Sequence, residues 1–241
     1  MISFRLRFIA DIIPVCDVLA DIGTDHGYVP FELLKSGRVN RVIATDISSE
    51  SLQKAVELTQ RENLVDKVSL RVGDGLEPLR KDEADILVIA GMGGRLIANI
   101  LEEGYNRKFD SKNPMIVLQP VQQAGELRIY LYTHDFEIND EYIFEDSGKV
   151  YQLIVCQKHT YIQDKDRYLL DTGNTAQVKF GTINIKKKTD LLKKIVDYEI
   201  SKTAKIIDAM IEQNVDRWKI EDKLNYLRDL EKVKYEFGIS Q

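Results

Sequence analysis

The chain has 241 residues, 44% of them hydrophobic and 30% charged, with a formal net charge of −5. That balance supports one core of moderate size plus an accessory element. It gives no global nucleic-acid signal, and no apolar run approaches the roughly 20 residues that cross a bilayer.

Ile2 to Ile13 reads as a helix with Leu6, Ile9, Ala10 and Ile13 on one face. Arg5 and Arg7 flank that face, and Pro14 ends the helix. Val18 to Ile22 is a first strand, leading into Gly23-Thr24-Asp25-His26-Gly27. Glycines in such a turn take backbone angles closed to other residues and let a ligand approach the main chain. Pro30 suits the first turn of the following helix, which ends near Gly37. Arg41 to Asp46 is a second strand ending in an acid, and Ser48 or Ser49 can cap a helix over Glu50 to Asn63. Val68 to Val72 is a third strand, followed by Gly73-Asp74-Gly75. Ala84 to Ala90 is a continuous apolar run, as expected when both faces of a strand are covered, and it leads into Gly91-Met92-Gly93-Gly94. A helix over Leu96 to Glu103, a strand over Met115 to Leu118 ending at Gln119-Pro120, and a helix over Gly125 to Tyr132 follow. Glu137 to Phe144 and Tyr151 to Gln157 then read as a hairpin.

Alternating strands and helices imply a parallel sheet covered on both faces. An antiparallel hairpin after the fifth strand gives the α/β, Rossmann-like layout of class I methyltransferases. Tyr161 to Thr182 is a mixed connecting stretch. From Thr189 the apolar residues Leu192, Ile195, Val196, Thr203, Ile206, Met210 and Ile211, then Leu224, Leu227, Leu230, Val233 and Phe237, recur at helical steps. A break near Asn214 to Lys219 makes them two antiparallel helices. The expected organisation is therefore a domain over 1–159 and a helical hairpin over 160–241. From Thr160 onward lie 16 of the 34 Lys+Arg and 14 of the 39 Asp+Glu, so the second part is slightly basic and the first acidic. Lys186-Lys187-Lys188 reads as a solvated helix start or as a phosphate-contacting patch. Cys16 and Cys156 lie in apolar contexts and are expected to be buried free thiols. The three histidines are scattered, so no metal is expected. Met1 to Pro14 has no long apolar segment ending in small residues, so no secretory leader is expected and a cytoplasmic protein is.

In open α/β sheets ligands bind outside the carboxyl ends of the strands. Four strand ends carry suggestive residues here. Asp21 and the Gly23–Gly27 turn end the first, and Asp46, with Ile47 beside it, ends the second. Asp46 lies where an acid accepts both ribose hydroxyls. Gly73-Asp74-Gly75 ends the third, with Asp74 placed to accept from an adenine amino group. Ala90-Gly91-Met92-Gly93 ends the fourth. An acid after a strand is often only a helix cap or turn former. Together they favour an adenosyl ligand without phosphates, because Asp25 in the turn would repel a pyrophosphate at the helix N-terminus. S-adenosylmethionine carries ribose, adenine, an ammonium and a sulfonium, and surplus carboxylates suit its cations. His26 fits a general base or a positioning donor, and Tyr28 a core aromatic or a residue facing the site.

The motifs Asp21-Ile-Gly-Thr-Asp-His-Gly-Tyr-Val-Pro30, Gly73-Asp-Gly75, Ile89-Ala-Gly-Met-Gly-Gly94, Leu118-Gln-Pro120 and Glu145-Asp-Ser-Gly-Lys-Val-Tyr151 resemble those of the bacterial tRNA (adenine-22-N1) methyltransferase family. Arg5-Leu6 and Arg128 also fit its pattern. The resemblance covers about two-thirds of the chain. It implies S-adenosylmethionine-dependent methylation of N1 of an adenine in the D-arm region of tRNA. It implies cofactor contacts from Asp21, Gly23, Thr24, His26, Gly27, Asp46, Ile47, Gly73, Asp74, Gly75, Ala90, Gly91, Met92 and Gly93. Asp25 would stabilise the positive charge that develops on the base, Tyr28 would stack on it, and Gln119 would hydrogen-bond its edge. Arg5, Arg7, Arg95, Pro120, Arg128 and Lys149 would meet tRNA. Arg5 and Lys149 are expected to leave the cofactor untouched, and the enzyme is expected to be a monomer. Two other readings share the cofactor turn: a methyltransferase for a small molecule or protein, and a non-catalytic adenosyl-binding RNA module. An elongated helical hairpin favours an RNA substrate over a small one.

Overall fold

The computed structural model describes residues 2–24, 27–159 and 175–238. Asp25, His26 and most of the connecting stretch lie outside the described residues. The chain divides into two compact units, Met1–Tyr161 and Ile162–Gln241.

The first unit is built on a seven-stranded sheet of order β3-β2-β1-β4-β5-β7-β6. Its strands are β1 (Cys16–Ile22), β2 (Val39–Asp46), β3 (Val68–Val72), β4 (Ile86–Gly93), β5 (Met115–Gln122), β6 (Phe136–Asp146) and β7 (Lys149–Lys158). The first five pair in parallel, whereas β7 pairs antiparallel with both β5 and β6. The helices are α1 (Phe4–Ile12), α2 (Tyr28–Lys35), α3 (Ser49–Arg61), α4 (Gly94–Lys108) and α5 (Ala124–Thr133). Ser48 caps α3, its hydroxyl accepting from the Ser51 amide at 3.2 Å. Among the described residues no helix is long and apolar enough to cross a membrane.

Side chains alternate across a strand, and this sorts the sheet into two buried layers. Ala20, Ile22, Leu87, Ile89, Ile116 and Leu118 pack with α4 and α5. Leu19, Val42, Ala44, Val88 and Val117 pack with Ile9 of α1, with Ile13 at its C-terminal cap, and with Phe31 and Leu34 of α2. Helix α1 also docks on the hairpin, where the Phe8 and Phe144 rings stack with centroids 4.3 Å apart and Tyr142 meets Phe8 edge-on at 5.6 Å. Such ring pairs add roughly 0.5–1.5 kcal/mol each beyond their area.

Strands β4 and β5 run past their expected ends. The pairing shifts register between Ala90 and Met92, and Gly91 sits at φ +82°. That is a bulge, which absorbs one residue and lets the strand continue through the expected glycine loop. Pro120 has no amide hydrogen to give the ladder, yet pairs with Met92 at this irregularity. It is buried there, which removes it from the residues that could meet tRNA.

Arg128 is a second correction. It is fully buried, with Nε donating to Glu141 Oε1 at 2.6 Å and Nη2 to Gln152 Oε1 at 2.7 Å. It therefore ties α5 to the hairpin and has no surface for a phosphate. Cys156 is buried and Cys16 half-buried, and both are free thiols. Burial and the nearby Asp85 and Asp17 push the Cys16 thiol up to about 11.

The second unit holds two short helices, α6 (Thr175–Phe180) and α7 (Thr182–Lys187), and two long ones, α8 (Asp190–Glu212) and α9 (Arg217–Gly238). Helices α8 and α9 run antiparallel, since Asp197 pairs with Lys234 while Glu199 meets Tyr226. The seam is Leu192, Val196, Thr203 and Ile207 against Leu230 and Val233. Ile206 and Ile211, expected inside, are exposed because the seam drifts by one position around the helix. Lys186 and Lys187 end α7 and Lys188 is its left-handed cap at φ +53°, so the lysines close one helix rather than open the next. Thr189 caps α8, its hydroxyl accepting from the Leu192 amide at 3.3 Å.

The buried ion pair gives a direct test of the hairpin's attachment. Arg128→Ala leaves Glu141 buried without its cation and is expected to cost about 3–5 kcal/mol in urea unfolding. Arg128→Met combined with Glu141→Leu should recover most of that loss. A single-variant cost under about 1 kcal/mol would contradict this role.

Candidate active site

The carboxyl ends of β1 and β4 meet in a cleft built by local rules, and the end of β2 lies beside it. After β1 the chain turns sharply, and the Gly23 and Thr24 amides both donate to the Thr45 carbonyl of β2 at 2.8 Å. Gly23 holds φ +77°, and a Cβ there would run into the Met92 thioether. The turn is therefore closed to any larger residue. The Thr24 hydroxyl donates to Asp21 Oδ2 at 2.5 Å and to the Asp21 carbonyl at 3.1 Å, which fixes the carboxylate at the mouth of the turn.

The alternation of side chains decides what faces this turn. Asp21 shares its face with Leu19, and in register it lies opposite Val88 of β4. Ala90 lies opposite Gln119 of β5 on the same face. Helix α1 covers that face, so Arg5 joins the group. The result is a cavity of about 350 Å³ whose lining includes Arg5, Asp21, Gly23, Tyr28, Ala90 and Gly91. Gly27 and Met92 also line it. Tyr28 is 47% exposed at the start of α2, so it faces the site and is not a core aromatic.

Asp46 ends β2 at the next strand. Its Oδ1 accepts from the Ser48 amide at 2.7 Å, and its carbonyl accepts from Gly73 at 3.0 Å. Ile47 beside it is 73% exposed, a large apolar side chain left to solvent next to a carboxylate. Asp74 and Gly75 line a separate cavity of about 410 Å³ along α4, with Gly104 and Arg107. Neither Asp46 nor Asp74 is in the lining of the cavity that holds Asp21.

The electrostatics single out one group. Among the described residues no cation pairs with Asp21. Burial raises its carboxyl to about 6, the Thr24 hydrogen bond partly offsets this, and the like charge of Asp46 adds to the rise. A carboxylate kept this uncomfortable in a cleft marks a functional site more often than a structural one.

The chain matches the family model for tRNA (adenine(22)-N(1))-methyltransferase over residues 19–230. The tRNA (adenine(22)-N(1))-methyltransferase of Bacillus subtilis strain 168 is 33% identical over 228 residues, 95% of this chain and 93% of the relative. The chain belongs to that family. The crystal structure of the Bacillus subtilis m1A22 tRNA methyltransferase superposes with a TM-score of 0.80 at 33% identity, covering 98% of each chain. A Streptococcus pneumoniae structure in complex with S-adenosyl-L-methionine superposes with a TM-score of 0.79 at 28% identity, covering 97% of this chain and 100% of that one. The tRNA methyltransferase family thus spans both units of the chain.

The remaining candidates of this methyltransferase fall into three groups. Thr24 is buried and acts on Asp21, not on the cavity. Gln119 is fully buried with both ends of its amide engaged: Oε1 accepts from Arg5 at 2.7 Å and Nε2 donates to the Pro120 carbonyl at 3.0 Å. It offers nothing to an adenine edge and instead holds Arg5, which corrects the expectation from sequence. Arg7, Arg95 and Lys149 are exposed, and Arg95 pairs with Glu126. Val88 lines the cavity and was not among the expected residues, although its two-residue spacing from Ala90 carries the signal.

Asp21 makes a prediction through linkage. Its folded pKa lies above its ordinary 3.8, so the folded state holds the proton more tightly. Stability from this group is present below about pH 4 and is lost as pH rises through about 6. Asp21→Asn should therefore stabilise the free protein at pH 7 by on the order of 1–3 kcal/mol and leave it nearly unchanged at pH 4. Thermal unfolding at the two pH values decides, and no gain at pH 7 would contradict the assignment.

Proposed function

We propose that this chain methylates N1 of adenine 22 in tRNA, and that the reaction takes place in the cleft between Asp21, Tyr28 and Gly91. The observation that carries this reading is the gathering of Asp21, the Gly23 turn and the Gly91 bulge in one cavity, in a chain whose fold matches an S-adenosylmethionine complex end to end.

The residues suit that cofactor. Among the described residues no cation pairs with Asp21, which leaves its carboxylate for the ammonium, and Asp46 keeps one oxygen for ribose hydroxyls, while exposed Ile47 offers an apolar seat for the adenine ring. The backbone at Gly91 is open, since a Cβ there would meet nothing. When bound, S-adenosylmethionine supplies an electrophilic methyl group on a sulfonium.

The target base asks little of the protein. N1 of neutral adenine carries an in-plane lone pair, so no residue must remove a proton before attack. The chain's work is to align the base and to offset the positive charge that develops on it. Asp25, outside the described residues, is the candidate carboxylate for that charge. N1 lies on the Watson–Crick edge, so the base must leave its stack, and Tyr28 is placed to receive it. Exposed Arg7, Arg95 and Lys149 are the candidates for phosphate contacts in the unit over 1–159. The helical unit over 160–241 supplies further RNA contacts in this reading.

Incubation with labelled S-adenosylmethionine and unmodified tRNA, followed by nucleoside analysis, should yield 1-methyladenosine. A transcript with guanosine at position 22 should yield none. Label in another nucleoside, or equal label in the changed transcript, would overturn the reading. Asp46→Ala should weaken cofactor binding about 10- to 100-fold, the worth of charge-assisted hydrogen bonds. Affinity should also fall as pH drops through about 6, because protonating Asp21 removes the partner of the ammonium. Calorimetry at pH 5 and 7.5 reads this, and Asp21→Asn should flatten the difference.

A further inference from the structure

Arg5 was expected to meet tRNA, and the structure places it in the lining of the candidate cleft. It is half-buried and lines the same cavity as Asp21, Gly23, Ala90 and Gly91. Among the described residues it is the one Lys or Arg in that lining. Its position is fixed from several sides. Its backbone amide donates to Asp146 Oδ2 at 3.1 Å, and its Nη1 donates to Gln119 Oε1 at 2.7 Å. The guanidinium carbon lies 5.6 Å from the centre of the Tyr151 ring. Gln119 is itself locked by Pro120, so the amide cannot turn away.

Among the described residues no anion meets the Arg5 guanidinium. Its one side-chain hydrogen bond among the described residues goes to a neutral amide, leaving Nε and Nη2 with no partner there. A half-buried guanidinium is costly unless a carboxylate or phosphate completes it. Arg7 sits two residues further along α1, on the opposite side of the helix, and is exposed. The two arginines thus have different tasks, one outward and one into the cleft.

We infer that Arg5 binds the carboxylate at the methionine end of the cofactor. This rests on the proposed function, in which the cleft takes S-adenosylmethionine. The amino-acid end of that molecule is a zwitterion, and among the described residues the cavity carries one carboxylate without a cation, Asp21, and one guanidinium without an anion, Arg5. The pairing of ammonium with Asp21 and carboxylate with Arg5 satisfies all four charges. The sequence motifs of the hairpin gain a purpose from it: Asp146 and Tyr151 hold the first turn of α1 so that Arg5 reaches the cleft.

Calorimetry with two ligands tests this. S-adenosylhomocysteine has the amino-acid end, and 5′-methylthioadenosine has the same nucleoside and sulfur without it. Arg5→Met should weaken S-adenosylhomocysteine about 10- to 100-fold and change methylthioadenosine by less than about twofold. Arg5→Lys should fall between, keeping the charge and losing the fork. Gln119→Met, which frees the guanidinium without removing it, should weaken S-adenosylhomocysteine by about 3- to 10-fold and spare methylthioadenosine. Unchanged S-adenosylhomocysteine affinity in Arg5→Met overturns the inference and returns Arg5 to tRNA. Equal losses for both ligands also overturn it, since they would mean a damaged pocket. If the unaltered protein binds neither ligand, the proposed function fails first.

Discussion

A carboxylate that meets no cation among the described residues lines the cleft, and the local structure follows from keeping it there. Asp21 is held by the Thr24 hydroxyl, and Thr24 is held by the Thr45 carbonyl of the neighbouring strand. That arrangement needs a turn too tight for a side chain at Gly23. Burial raises the Asp21 pKa, so the free protein gives up stability at neutral pH to keep the charge available.

The second constraint is the two-residue alternation of the parallel strands. It places Asp21, Val88, Ala90 and Gln119 on the face that α1 covers. Once α1 is pinned to the hairpin by the Phe8–Phe144 stack and by Asp146, its first turn must hang over the cleft. The buried Arg128–Glu141 pair secures the hairpin from the other side of the sheet. The edge of the sheet thus acts on the site without lining it. Arg7, Arg95 and Lys149 are exposed and outside the lining of the cleft. Arg95 and Glu126 are both exposed, and such a pair adds little stability, so Arg95 gives up little by exchanging Glu126 for a phosphate.

Much of this is legible in the residues. The strand ends at Ile22, Asp46 and Val72, the cap at Ser48 and the terminal hairpin all follow from apolar runs, turn formers and capping chemistry, which act locally. The misreadings come from effects that depend on tertiary packing. Arg128 and Gln119 look like surface or pocket groups because nothing local announces a buried partner, and their partners lie on β6, β7 and α1. Ala90 looks like the end of a strand because Gly91-Met92-Gly93 resembles a loop, yet a bulge carries the pairing onward. Ile206 fits a helical stripe as well as Ile207 does, and only the facing helix chooses between them.

The central claim is that one cleft holds the cofactor with its amino-acid end against Asp21 and Arg5 and its ribose at Asp46. A crystal structure of the full chain grown with S-adenosylhomocysteine tests it most directly. The account predicts ligand density between the Gly23 turn and Gly91, with the ammonium on Asp21, the carboxylate on Arg5 and the ribose hydroxyls on Asp46. Density in the cavity lined by Asp74 and Arg107, or an amino-acid end turned away from Asp21 and Arg5, would contradict it.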